Sequence, residues 1–559
     1  MHLALTSDAD GCLITPVTDD GVPGAQSTVV PQAGLAAAVA GMEAQHPRWV
    51  WDDTTTWYPK LLAAGVRVER CVDLRLSHAI LRHSELTASS DLARAAANAW
   101  DAPPAEVSVR RSGVALFDFA ADEPAAARID PLREFRMQRE AAASAPDPNR
   151  IGLLLAAESA GALVASEMQF AGLPWRTDLH DELLTGLLGP RPRDGERPEL
   201  LEAALRRVRE ALDAPELNPD SPPDLLKALG RVGLVVTSTR SWELKKLDHP
   251  AIAPLLEYKK LSRLLAANGW HWLDANVADG RFRPDYVVGG VVTGRWASKG
   301  GGGALQLPKQ IRGAVVADPG WKLVVADASQ LEPRILAALS GDAKMAEAGR
   351  EKDMYAGILA SGAVATRAQA KVAMLGAMYG ATTGESGRLM PKLTRAYPRA
   401  IGLVEDAARR GERGEIVTTR LGRSSPHPGA AWHQAQSEAY GETATDADRR
   451  RARGEARSWG RFTRNFIVQG TAAEWALCWM ASLRGLLSGI GGGVWLTDAP
   501  HLVFFLHDEL VVHCPAALTD AVVDAVQDAA GRAAALLFGQ TPVQFPLSVA
   551  VVDNYAQAK

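Results

Sequence analysis

The apolar run 323–326 stops on one carboxylate, Asp327, and helix-like spacing begins a few residues later, in LVVADASQLEPRILAALSGD (323–342). So short an apolar run suits a strand buried on both faces. A buried strand that ends on a lone acid, with Gln330, Glu332 and Arg334 just behind it, sets a polar group where the sheet stops. A matching feature lies far downstream in LVFFLHDELVVHC (502–514), two strand-like runs around a short polar tip holding His507, Asp508 and Glu509. One antiparallel sheet can bring a strand end and a hairpin tip together. Two carboxylates so placed can hold a pair of Mg²⁺ ions, which activate an attacking hydroxyl and stabilise the leaving oxygen of a phosphoryl transfer. Spacing alone leaves open the alternative of two turn-forming aspartates.

The chain's 559 residues allow three or four domains at roughly 150 residues each. Hydrophobic residues make up 47% of it, enough for an ordinary globular core. The net charge of −4 gives no global basic signature, although a local basic groove suffices for nucleic acid. Cys12, Cys71, Cys478 and Cys514 form no C-x-x-C pair and are expected to be free thiols in a reducing cytoplasm. The start, MHLALTSDADGC, lacks the basic and apolar regions of a signal peptide, and without a run of 18 apolar residues no membrane span is expected.

Residues 1–165 read as short strands and Ala-rich helices, with a break at Pro146, Asp147, Pro148 and Asn149. Residues 168–275 read as mostly helical, with turns at 188–198 and 218–224 and a helix over 249–269 that stops at glycine. DYVVGGVVTGRWAS (285–298) alternates like a hairpin around Gly289 and Gly290. Between 388 and 464, fifteen Arg and one Lys face nine acids, a local net of +7. That surface is either a solvated helical face or one that contacts phosphates. TRAQAKVAMLGAMYG (366–380) sets Arg367, Lys371, Leu375 and Tyr379 at i+4 steps along one helix face. Two cations and a phenol there could grip a triphosphate and stack on a base; alone, the segment could equally be an ordinary amphipathic helix ending at Gly380.

Together these segments resemble the A, B and C motifs of the family A DNA polymerases, the bacterial DNA polymerase I group. The first family motif, D-Y-S-Q-I-E-L-R, is D-A-S-Q-L-E-P-R here. The second, R-x-x-x-K-x-x-x-[FY]-G-x-x-Y-G, matches 367–380 except at Leu375, and the third, H-D-E, is His507, Asp508 and Glu509. TGRWAS, LQLPKQIR (305–312) and RFTRNFIVQGTAAEW (461–475) resemble further family segments in the same order, so the likeness covers roughly 170–559.

The resemblance implies a template-directed DNA polymerase of α/β and α+β multidomain build: an RNase H-like exonuclease-type domain, then a right hand of palm, fingers and thumb. The expected divisions are 1–167 exonuclease-like, 168–275 thumb, 276–344 first palm part, 345–425 fingers and 426–559 second palm part. By resemblance Asp327, Asp508 and the Ala328 carbonyl would hold two Mg²⁺ ions, replaceable by Mn²⁺, with Glu509 in support. Arg367 and Lys371 would bind the triphosphate, where charge-assisted bonds strengthen as negative charge builds. Tyr379 would stack near the templating base, and Gln330 and His507 would touch the nucleotide or primer end. Arg295, Gln306, Arg461, Asn465 and Gln469 would contact template–primer. Glu332 matches the steric gate that disfavours a ribose 2′-hydroxyl. Ala328 for Tyr, Pro333 early in a helix and Leu375 for an aromatic depart from the pattern; the last implies weaker packing on the nucleotide sugar. The implied partners are template–primer and dNTPs, with a monomeric, cytoplasmic, nucleoid-associated protein of DNA replication or repair.

The first third departs further. No D-x-E occurs in 1–170, Thr56 falls where the family has Asp, and Glu158-Ser159-Ala160 replaces E-D-A. Asp73 sits where another family acid commonly follows, and Asp52 and Asp53 read as a strand-to-helix cap. The expectation is an exonuclease fold without its chemistry, and no 5′ nuclease domain. The alternatives are a bifunctional enzyme with an active 3′–5′ exonuclease, and a non-catalytic DNA-binding relic. Gly300 to Gly303 suggest a flexible loop near template–primer rather than a phosphate loop, because no G-K-[ST] follows.

Overall fold

Two near-continuous apolar strands pair to make the central sheet. In the computed structural model, β6 (Trp321–Ala328), β7 (His501–Leu506), β8 (Glu509–Pro515) and β9 (Leu547–Val552) form an antiparallel sheet of order β7-β8-β6-β9. The structure describes residues 1–8, 11–24, 26–102, 129–193, 195–299, 305–381, 384–441 and 443–558. Leu323 to Ala326 and Leu510 to Val512 are buried, and each Val or Leu so buried contributes about 1.5–3 kcal/mol. That burial fixes the register, since a one-residue slip would turn every apolar side chain to the other face. Asp327 therefore lies opposite Glu509.

The first 73 residues build a second sheet from β1 (His2–Asp8), β2 (Gly11–Val17), β3 (Thr28–Val30), β4 (Arg48–Trp51) and β5 (Cys71–Asp73), in order β3-β2-β1-β4-β5. The β1–β4 and β4–β5 pairs are parallel and the others antiparallel. Helix α1 (Pro148–Ala171) packs against this unit and against the rest of the chain. It is long and apolar enough to cross a membrane by composition alone, yet 72% of its apolar window is buried inside the protein, as in a core helix. The expected boundary at 167/168 falls inside α1. Apolar residues continue through Met168 and Ala171, and the helix ends only at Gly172, whose φ of 72° suits glycine.

From 177 to 276 the chain is mainly helical, with Glu199–Ala211 packed on Ile252–Asn268. The expected hairpin over 285–298 is confined to two-residue strands, Tyr286–Val287 and Ala297–Ser298. Its wide loop turns through Gly289 and Gly294, which pack so closely on Glu158 and Arg423 that a Cβ at either would collide with those side chains. After β6 come α2 (Leu331–Ser340), α3 (Arg367–Tyr379), α4 (Pro398–Glu412), α5 (Ala430–Ala439), the 46-residue α6 (Asp446–Gly491) and α7 (Thr519–Phe538). Helix α6 joins two regions: it packs on α3, α4 and α5, and also on α1 and α7. The expected boundary at 425/426 thus separates α4 from α6, on which it packs. Gly300 to Gly303 lie outside the described residues.

Candidate active site

Asp327 is the last residue but one of β6, and Asp508 occupies the two-residue turn between β7 and β8. His507 takes a φ of 60° to make that turn. The Ala328 amide donates to the Asp508 carbonyl at 2.9 Å, which ties the strand end to the turn. Tyr286 steadies the outer strand: its hydroxyl donates to Phe505 O at 2.9 Å and accepts from Phe505 N at 2.8 Å.

Glu509 is not a solvated acid at the hairpin tip. It opens β8, is 5% exposed, accepts a hydrogen bond from the Tyr555 hydroxyl, and has Arg312 Nη1 3.7 Å away. Arg312 also lies over the Tyr555 ring at 4.4 Å. This arrangement ties the Glu509 carboxylate to Tyr555 and Arg312.

A cleft of about 570 Å³ opens beside these residues. Arg295, Gln306, Gln330, Glu332, Leu375, Gln469, His507 and Asp508 all line it, so residues from six separate segments meet there. Glu332 is the junction: Oε1 accepts from Arg295 Nη2 at 2.6 Å and Oε2 from the Tyr379 hydroxyl at 2.9 Å. Partial burial and this carboxylate push the Tyr379 phenol up to about 12, so it stays a donor. Partial burial, with Arg295 nearby, holds His507 below its ordinary value, so at neutral pH it is an uncharged ring.

Helix α3 forms as its sequence dictates. Thr366 caps its start by accepting from Gln369 N at 3.1 Å, and Gly380 closes it in the left-handed conformation. Arg367 lies over the Tyr355 ring and pairs with Asp353 at 2.5 Å. Lys371 stands exposed one turn on, and Leu375 reaches the cleft wall. On α6, Arg461, Asn465 and Gln469 follow at i+4 steps. Gln469 lines the cleft, Arg461 packs under Gly380, and Asn465 Oδ1 is buried without a donor among the described residues.

Asp353 and the bonding of Arg334 were not expected, and Gln330, expected to touch the nucleotide or primer end, is engaged within the protein. Gln330, at φ 57°, uses its amide on Asp353 (2.8 Å) and Met354 N (2.8 Å). Asp353 thereby joins Gln330 to Arg367. Arg334 is fully buried and donates to five carbonyls, those of Ser329, Gly349, Glu351, Lys352 and Gln544. Its place in D-A-S-Q-L-E-P-R was visible, but no spacing pointed to those partners.

Among the described residues no cluster of three or more metal-binding side chains exists. Two carboxylates beside a main-chain carbonyl still suit Mg²⁺, which usually binds one or two carboxylates and completes its shell with water and substrate phosphate. Four acids of the first third are engaged in local hydrogen bonds or an ion pair. Asp53 caps a helix through Thr55 N, Asp52 accepts from the Trp57 indole, and buried Asp73 accepts from Thr54 N and Leu76 N. Glu158 pairs with Arg423 at 2.8 Å.

The sheet thus carries Asp327 and Asp508 at one end, beside the helix bearing Arg367 and Lys371 and the cleft. Residues 198–557 match DNA polymerase family A, and the chain belongs to that family. It is 28% identical over 361 residues to the thermostable DNA polymerase I of Thermus thermophilus, covering 58% of this chain and 39% of that protein. It is 28% identical over 321 residues to DNA polymerase I of Chloroflexus aurantiacus, covering 52% and 31%. A DNA polymerase of Escherichia phage T5 is 35% identical over 101 residues, 18% and 12% of the two chains. The match thus spans about two fifths or less of these curated relatives. The fold is that of the POL domain of Pol1 from M. smegmatis, solved with DNA primer-template and dNTP: TM-score 0.66, 19% identity, covering 100% of this chain and 95% of that one.

Proposed function

We propose that the chain is a template-directed DNA polymerase that adds deoxynucleotides to a primer 3′-hydroxyl, in replication or repair. The observation that carries this is the convergence of Asp508, Glu332, Arg295, Gln330, Leu375 and Gln469 on one cleft at the end of the strand bearing Asp327. Asp327, Asp508 and the Ala328 carbonyl would hold two divalent ions, Mg²⁺ or Mn²⁺. When bound, these supply activation of the 3′-hydroxyl and stabilisation of the leaving oxygen. Arg367 and Lys371 bind the triphosphate, with Arg367 exchanging Asp353 for phosphate oxygens. Tyr379 and Glu332 form the floor under the sugar and base, where Glu332 disfavours a 2′-hydroxyl. Arg461, Asn465 and Gln469 face the template–primer, and the unpartnered Asn465 Oδ1 leaves an acceptor for it.

The reading divides the chain into a thumb over 172–275, a palm sheet of β6–β9, and fingers of α3, α4, α5 and the first half of α6. We infer a cytoplasmic, monomeric protein. The order β3-β2-β1-β4-β5 supports an RNase H-like exonuclease-type fold for the first third, and the engagement of Asp53 and Asp73 as helix caps and of Asp52 by the Trp57 indole supports the loss of its chemistry. The test is extension of a labelled primer with Mg²⁺ and one dNTP at a time. Extension only by the nucleotide complementary to the template base is expected. Extension regardless of template would overturn template direction. Shortening without dNTPs would show that the exonuclease survives.

A further inference from the structure

Of the basic stretch between 388 and 464, Arg388, Lys392, Arg395 and Arg399 are exposed and pair with none of the described acids, and Arg420 donates to the Leu537 carbonyl; the other arginines divide by partner. Arg409, Arg410, Arg413, Arg423, Arg449, Arg451 and Arg464 each pair with an acid. Arg450, Arg453, Arg457 and Arg461 pair with none of the described acids, and all four are exposed. Their spacing of three, four and four residues puts them along one face of α6.

That face leads to the cleft. Continuing by four residues reaches Asn465, and by four more Gln469, which lines the cleft wall. From Gln469 back to Arg450 an unbroken helix rises about 28 Å, at 1.5 Å per residue. The acids on this part of the helix do not neutralise the stripe: Asp446 pairs with Arg449, Asp448 caps the helix with Thr445, and Glu455 lies on the opposite side. Tyr440, which is 89% exposed, follows the end of α5, two residues after Glu438, which pairs with Arg451. An exposed ring next to a row of cations suits a strand whose bases are free to stack.

We propose that Arg450, Arg453 and Arg457 form a rail for the single-stranded template ahead of the active site, with Tyr440 as a stacking platform. This rests on the polymerase reading above. The choice of strand follows from position. This part of α6 packs with α4 and α5, away from the helices at 199–211 and 252–268, so it borders the uncopied template and not the finished duplex.

The test measures binding to primer–templates with 5′ template overhangs of one and twelve nucleotides, across salt concentrations. The wild type should bind the long overhang more tightly, with a steeper salt dependence. Arg450→Gln/Arg453→Gln/Arg457→Gln should lose that advantage about tenfold, and its salt slope on the long overhang should fall by about 2 for three phosphates. Its binding to the short overhang should be unchanged, and Arg450→Lys/Arg453→Lys/Arg457→Lys should recover most of the loss. Unchanged binding of the Gln variant to the long overhang would overturn the rail. Equal weakening on both overhangs would assign the arginines to the duplex or to folding, and also overturn it. A wild type that extends the short-overhang primer yet gains nothing from the long one would overturn the rail alone. One that binds neither substrate would overturn the polymerase reading with it.

Discussion

Glu332 carries the most consequence for its size. One carboxylate holds Arg295 from the 285–298 loop and Tyr379 from α3, so it ties two separate elements together at the cleft. Glu332→Ala is expected to raise ribonucleotide incorporation at least about tenfold and to loosen Tyr379, a loss of two charge-assisted bonds. Competition between rNTP and dNTP at one template position measures it. Leu375→Phe restores a ring on the cleft wall and is expected to lower the KM for dNTP about fivefold, for about 1 kcal/mol of ring packing, and to alter dideoxynucleotide discrimination. Unchanged values in both assays would mean that position 375 does not touch the sugar. Glu332 and Leu375 were singled out because their segments resemble the family's motifs, and the fold brings both to one cleft. The bonds of Arg334 and Asp353 were not legible in the sequence: Arg334 reaches carbonyls at 349–352 and 544, and Asp353 joins Gln330 to Arg367, contacts that only the folded chain brings together.

At the scale of elements, α3 shows how a local rule is overruled. Glycine within a helix ordinarily costs about 1 kcal/mol relative to alanine, so Gly376→Ala should stabilise an isolated α3. Here a Cβ at 376 would overlap Ser386 Oγ on the neighbouring helix. Gly376→Ala is therefore expected to lower the Tm and to weaken dNTP binding by moving Arg367 and Lys371. A higher Tm with unchanged KM would show that the two helices separate freely. The helix itself, from the Thr366 cap to the Gly380 stop, was readable, as were β6 and the β7–β8 hairpin. The 285–298 hairpin was misjudged in extent, because alternation cannot register that its glycines exist to admit Glu158 and Arg423. The 167/168 boundary failed because α1 stays apolar across it.

The whole molecule is held together by a buried network. Arg484 of α6 bonds to Glu167 of α1 and to the carbonyls of Val68 and Glu69, while Arg67 and the Tyr58 hydroxyl also bond to Glu167. Removing one partner of such a pair typically costs about 3–5 kcal/mol, so Arg484→Ala should unfold at markedly lower temperature. Burial alone would raise the Glu167 carboxyl, but Arg484 and Arg67 outweigh it and hold the group down to about 2. A depressed acid stabilises the fold fully above its unfolded pKa and loses that stabilisation as pH falls through the folded value. The network should weaken between about pH 4.5 and 2, and Glu167→Gln should flatten that part of the stability profile in denaturant melts. The central claim, however, concerns the two acids at the sheet's end. Its most direct test is single-turnover primer extension with Mg²⁺ by the wild type, Asp327→Asn and Asp508→Asn, with primer–template binding measured on each. The account predicts extension by the wild type, a loss of at least about a thousandfold in each variant, and little change in DNA binding. Extension within a few fold of wild type by either variant would contradict it.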